Sequence, residues 1–352
     1  MFKLKIEDQS QIKLAEKLKI NKTHLLKGLF GSGISMRFAS EFRKSKRNFL
    51  FTLNDAEQAA YFFNDQEHLG NKDNILFFPS SHKRSYSKND IDNSNVLQRS
   101  FVLKELSNKK PKFIVTYPEA IFEKIISKKT LKKNTLHLKK GMNISLDFLN
   151  ESLFEFGFER VDFVCSPGDF SVRGGIIDVY SYSNQHPYRI EFFSDTINSL
   201  RTFDVKTQLS ISSIDALDLI PNTSSISSKE ERKTLIDLLP NDSVLITMNV
   251  DKTVSVLNML YDKTKERFSE LSSTIQSSQH ILYSSSVEWI NTCKNFCHII
   301  LNRSDFLIHE TTIKFVQKPQ PIFNKNFELL VKHFNSNHKS GILNYILCTN
   351  SK

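Results

Sequence analysis

The chain has 352 residues, with 48 Lys and Arg against 38 Asp and Glu, and a formal net charge of +10. At roughly 100–200 residues per domain this length suggests two or three domains, and a composition 39% hydrophobic and 24% charged excludes a disordered chain. No apolar run approaches the ~18–20 residues of a membrane span, and MFKLKIEDQS lacks the apolar stretch of a signal peptide, so a cytoplasmic protein with no membrane contact is expected.

QIKLAEKLKI (11–20) reads as a helix, followed by Asn21 as a cap before THLLKGL. NFLFTL (48–53) is a strand run, Asn54-Asp55 a cap, and AEQAAYFFNDQEHL a helix. NILFFP (74–79), VLQRSFVLKEL (96–106), KFIVTYP (112–118) and EAIFEKIIS continue as strand, helix, strand and helix. This alternation predicts a parallel α/β sheet. The pattern changes near residue 135. TLHLKKG (135–141) alternates like a strand, and DFLNESLFEFGF (147–158) is an amphipathic helix ending at Gly157. Strand-like runs then follow as VDFVCSP, SVRGGIIDVYSYS, YRIEFFS and INSLRTFDV, separated by Asn, Pro, Gly and Asp, which predicts an antiparallel α+β domain. Beyond 212 helices and strands mix again, with SSKEERKTLIDLL (227–239) helical and VLITMN (244–249) and HIILN (298–302) as strands. QKPQPIFNKNFELLVKHFNSN reads as a linker feeding a helix, before a strand-like NYILCT.

The charge is uneven. Residues 101–140 hold eleven Lys, three Glu and no Arg, which permits phosphate contacts but lacks the Arg and aromatic interleaving of a base-reading surface. Abundant Lys, Asn, Ile and Phe is also what A+T-rich coding sequence tends to produce. Cys293, Cys297 and His298 offer three metal-ligand types at close spacing, but no second half-site accompanies them, so reduced thiols and no cofactor are expected.

Gly28-Leu29-Phe30-Gly31-Ser32-Gly33-Ile34-Ser35 follows the phosphate-loop spacing, with Gly28 and Gly33 outermost and Ser35 as the hydroxyl. Ile34 stands where that loop needs Lys, so charge for the terminal phosphates is missing and triphosphate hydrolysis should fail. No acidic pair ends the candidate strands to hold Mg²⁺. A turn inherited without its chemistry and a generic anion site at the helix N-terminus both remain open.

In YRIEFF, alternation puts Tyr188, Ile190 and Phe192 on one face and Arg189, Glu191 and Phe193 on the other. An aromatic beside charged residues on a face with no apolar need for it matches the composition of binding hot spots. Arg173 joins that face only if the hairpin register is even. The alternative reading pairs both arginines with Asp169, Asp178 or Glu191 on a solvated sheet, with Phe193 capping a core edge. Gly174 and Gly175 suit a bulge or a close backbone approach.

GLFGSGIS, FFPSS (77–81), IVTYPEA (114–120) and above all PGDFSVRGGIIDVYSYSNQHPYRIEFFSDTINSLRTFDVKTQLS (167–210) resemble the N-terminal module of the bacterial transcription-repair coupling factors, itself similar to the damage-recognition protein UvrB. The resemblance covers roughly 22–215 and implies a degenerate helicase-like parallel α/β domain with an inserted antiparallel α+β domain. It implies boundaries at 1–134 and 212–320 for the two parts of the α/β domain, 135–211 for the insertion, and 321–352 for a linker and the start of another domain. It further implies that the insertion docks UvrA through Arg173, Arg189 and Phe193, as a scaffold rather than an enzyme. In the family, downstream parts bind RNA polymerase, translocate on DNA with ATP and mask the docking face; none of that maps onto residues here. Family members are much longer, so an N-terminal fragment or a truncated reading frame is expected. Direct DNA binding through the 101–140 lysines is the alternative function.

Overall fold

The computed structural model describes residues 21–70, 72–82, 92–106, 108, 110–182, 184–221, 231–270, 279–317 and 321–344. Its first half alternates β1 (Thr23–Lys27), α1 (Ser32–Lys44), β2 (Phe49–Thr52), α2 (Ala56–Leu69), β3 (Ile75–Phe77), α3 (Asn93–Glu105), β4 (Phe113–Thr116) and α4 (Pro118–Phe122). Strand β2, strand β4 and two later strands, β15 (Val244–Thr247) and β16 (Cys297–Ile300), are buried at every position. Their unbroken apolar or small-polar runs suit strands covered on both faces, as in a parallel sheet. The sheet has seven strands, ordered β17 (Thr311–Lys314), β1, β16, β15, β2, β4, β3, and every pairing is parallel. The abundant phenylalanines fill it. Phe38 of α1 meets Phe51 edge-on at 5.1 Å, Phe42 meets Phe49 and Phe113 at 5.5 and 5.4 Å, and Phe62 of α2 meets Phe51 at 4.5 Å.

Helix starts follow local chemistry. The Asp55 carboxylate accepts the Gln58 N–H at 2.9 Å at the head of α2, a cap worth about 1 kcal/mol. FFPSS and IVTYPEA lie on neighbouring strands β3 and β4 and are tied together beyond their ends. The Ser80 hydroxyl donates to buried Glu123 at 2.7 Å, the Ser80 N–H donates to the Tyr117 hydroxyl at 2.8 Å, and the buried Arg99 guanidinium lies 3.4 Å from the Glu123 carboxylate. Removing one member would leave a buried charge uncompensated, so these strings carry architecture.

The chain then enters a second unit through a double neck. The short β5 (Ile125–Ile126) pairs antiparallel with β14 (Arg232–Lys233); past α5 (Lys128–Lys133), β6 (Leu136–Lys139) pairs antiparallel with β13 (Ala216–Leu219). Between β6 and β13 lie α6 (Leu146–Glu155) and a six-stranded sheet ordered β12 (Ser210–Ser213), β11 (Thr196–Phe203), β10 (Tyr188–Phe193), β9 (Ile176–Val179), β8 (Asp169–Arg173) and β7 (Glu159–Arg160), antiparallel except for the β7–β8 pair. The α/β class with an inserted antiparallel α+β region is as the sequence predicts. Beyond the neck come α7 (Val250–Glu270), α8 (Gln279–Leu282), α9 (Ser286–Cys293) and the strands that complete the parallel sheet, followed by α10 (Phe327–Lys339) after the linker.

Four local readings are corrected. Asn21 does not cap a helix: THLLK is strand β1, held between β16 and β17. VDFVCSP is an irregular segment whose Cys165 and Ser166 N–H groups both donate to Asp169. The described part of SSKEERKTLIDLL is strand β14 and a single 3₁₀ turn at Ile236–Leu238. EAIFEKIIS is helical only to Phe122, after which β5 begins. The runs QIKLAEKLKI and YILCT lie outside the described residues.

Candidate partner-docking face

Register answers the question left open by spacing. Ser171 pairs with Asp178, Asp178 with Arg189, and Arg189 with Arg201; the next row is Arg173, Ile176, Glu191 and Ser199. Directly opposed residues share a face, so Arg173, Asp178, Arg189, Glu191 and Phe193 all belong to one side of the sheet. The opposite side carries Phe170, Ile177, Ile190 and Leu200, all buried.

Asp178 is the centre of the polar side, although its side chain is wholly covered. The Arg189 Nε donates to Asp178 Oδ1 at 2.7 Å and its Nη2 to Oδ2 at 2.8 Å, a bidentate fork. The Arg173 Nη2 donates to the same Oδ2. Arg189 also gives Nη1 to the Gln208 carbonyl at 3.2 Å and lies 4.6 Å over the Phe203 ring. The bonds to Asp178 raise the Arg189 pKa further, against the opposing effect of burial. Glu191, in turn, accepts from Arg201 at 2.9 Å and Ser199 at 2.7 Å. Of the pairings open to the two arginines, Asp178 takes both.

Phe193 has no place in this network. It is the last paired residue before the tight Ser194-Asp195 turn and stands 79% exposed. Ser194 takes φ 53°, the left-handed backbone such a turn needs. Arg173 likewise ends its strand, before the Gly174-Gly175 turn, where Gly174 has φ 58°. The Gly175 carbonyl accepts the Phe192 N–H at 2.8 Å, which brings the two hairpin tips to one end of the sheet.

The other sequence candidates fall elsewhere. The turn from Gly28 to Ser35 joins β1 to α1, the context of a phosphate loop, but protein atoms take up its polar groups. Gln317, just past β17, accepts the Phe30 N–H at 2.9 Å and donates to the Phe30 carbonyl at 3.0 Å. Gly33 N–H donates to the same carbonyl and Ile34 N–H to that of Gly31. Ile34 is buried in the core, and the Ser35 hydroxyl donates to Asp65 at 2.7 Å. Cys293 and Cys297 are buried free thiols, and His298 is bound through Nε2 to the Thr247 hydroxyl at 2.8 Å. Among the described residues no cluster of His, Cys, Asp and Glu could hold a metal ion. Three of the 101–140 lysines are engaged in ion pairs: Lys112 with Glu105 at 2.6 Å, Lys124 with Glu288 at 2.6 Å and Lys104 with Asp218 at 3.9 Å. Sequence reasoning did not single out Phe163, which lies in the irregular segment before β8 under the Arg173 guanidinium, 5.4 Å from ring centroid to Cζ.

A six-stranded sheet bearing such a face, set on a double neck beside a parallel α/β sheet, has a counterpart among known families: residues 136–224 match the UvrB interaction domain. Parts of the chain are also similar to the transcription-repair-coupling factors. The chain is 28% identical to that of Bacillus subtilis over 251 residues, covering 71% of this chain and 21% of that protein. The proteins of Escherichia coli and Borreliella burgdorferi are each 34% identical, over 101 and 133 residues, covering 29% and 38% of this chain and 9% and 12% of theirs. The matches thus span about a fifth or less of the length of these relatives. Among the described residues no helix is long and apolar enough to cross a membrane.

Proposed function

We propose that this chain is the UvrA-docking part of a transcription-repair-coupling factor, a non-catalytic scaffold that recruits UvrA to stalled RNA polymerase in the cytoplasm for nucleotide excision repair. The observation that carries the reading is the polar face of the six-stranded sheet within the matched region, where exposed Phe193 shares one side with two arginines held by one buried carboxylate. An exposed aromatic on one face with oriented guanidinium groups is the composition of an interface hot spot, and fixing those groups beforehand lowers the ordering cost of binding. The scaffold reading is supported by Ile34 in the phosphate-loop position and by Gln317 engaging the backbone of that turn. Polymerase binding and ATP-driven movement on DNA are assigned to other parts of the parent protein.

The test is titration of purified UvrA with the chain and with the Arg173→Ala/Arg189→Ala variant. Loss of each hot-spot contact should cost at least about 1–2 kcal/mol. Unchanged affinity of the double variant would exclude this face.

A further inference from the structure

The two arginines differ in what they have left to offer. Arg189 commits all three of its nitrogens, two to Asp178 and one to Gln208, and its side chain is only 17% exposed. Arg173 commits one nitrogen, Nη2, and its side chain is 42% exposed. The guanidinium of Arg173 also lies over Phe163, a ring 61% exposed. Phe163 and Phe193 are both large exposed aromatics, and Arg173, stacked on the first, shares its sheet face with the second.

Resting on the docking reading above, we infer that Phe163 is a further contact residue of the face, and that the two arginines divide their work. Arg173 touches the partner; Arg189 is a positioning residue that acts through Asp178. A guanidinium with free donors, stacked on an exposed aromatic, fits an acidic side chain on an otherwise apolar protein surface. The partner patch on UvrA is therefore acidic at its centre and apolar at its rim. The face is not positive in sum, because Asp169 shares it with Asp178 and Glu191; the charge offered to such a patch is local, that of Arg173, whose side chain is 42% exposed.

The experiment compares Phe163→Ala, Arg173→Gln, Arg189→Gln and Phe193→Ala of the full chain, titrated with cognate UvrA at low and high salt and melted in parallel. Phe163→Ala is expected to lose at least tenfold in affinity with an unchanged melting temperature. Arg173→Gln should lose affinity and flatten the salt dependence. Arg189→Gln should lose affinity and melting temperature yet keep the salt dependence of the parent chain; Arg189→Lys serves if Arg189→Gln does not fold. Wild-type affinity of Phe163→Ala, alongside weakened Phe193→Ala, overturns the inference and leaves the docking reading standing. So does a flattened salt dependence in the Arg189 variant. Wild-type affinity of both Phe193→Ala and Arg173→Gln overturns the docking reading as well.

Discussion

Arg189 reaches both oxygens of Asp178, at 2.7 and 2.8 Å, from the neighbouring strand, while the carboxylate itself is closed to solvent. The pair is the keystone of the polar side of the sheet, because Arg173 leans on the same carboxylate from the other flank.

Asp178→Asn should therefore destabilise the chain. Removing one partner of a buried ion pair typically costs 3–5 kcal/mol, and the partial exposure of the arginines puts this case near about 3 kcal/mol. Urea denaturation followed by circular dichroism would measure it, and a loss below about 1 kcal/mol would contradict the central role of Asp178.

The turn glycines make a contrasting pair. A Cβ at Gly28, where φ is +84°, would lie 2.1 Å from the Phe315 carbonyl oxygen. Gly28→Ala combines left-handed strain with a backbone clash and should cost about 3 kcal/mol or more. At Gly33 the added atom would meet the flexible end of Gln317 at 2.3 Å. Gly33→Ala should displace that side chain and cost about 1 kcal/mol, the worth of its hydrogen bonds. Equal losses in denaturant midpoints would argue against this assignment of the glycines to packing.

His298 provides a pH signature. Burial depresses its pKa from 6.5 to about 3, so the folded chain keeps the ring neutral where the unfolded chain protonates it. Its contribution is full above about pH 6.5 and is lost as pH falls from there toward 3, because the unfolded state then binds the extra proton. The slope should reach about 1.4 kcal/mol per pH unit inside that window. Stability measured from pH 7.5 to 4.5 should fall less steeply for His298→Asn than for the parent chain.

Thiol reactivity should separate the three described cysteines. Cys165 is exposed, whereas Cys293 and Cys297 are buried. Burial raises both of those thiols, Cys297 to about 11 despite the opposing effect of Arg47. Brief alkylation at pH 7.5 and peptide mapping should find Cys165 modified and the other two protected, since the thiolate is the reactive form. Rapid labelling of Cys297 would contradict its placement in the sheet.

The strands of the parallel sheet were legible where three consecutive apolar residues and a threonine left only a doubly covered position, as in FLFT and FIVT. THLLK was not, because its strand character comes from β16 and β17, far along the chain. The polar face was half legible. Alternation separated Arg189 and Phe193 from Ile190, but only register shows that Arg173 joins them and that Asp178 lies beneath both. Phe163 escaped notice because VDFVCSP read as an ordinary apolar strand, whereas the segment is irregular and leaves that ring 61% exposed.

Strand β1 has a further consequence, for the order of events during synthesis. Its Thr23 leaves the ribosome long before His298, and its His24 long before Thr311, the residues that pair with them. At ~5–20 residues per second that interval is on the order of 10–60 s. The segment from Leu136 to Leu219 closes on itself through β6 and β13 and needs no later strand for its own sheet. Nascent chains halted near residue 260 should already yield a protease-resistant piece spanning that segment, while the N-terminal strand is still cut. The part that meets a partner would then be finished before the platform that carries it.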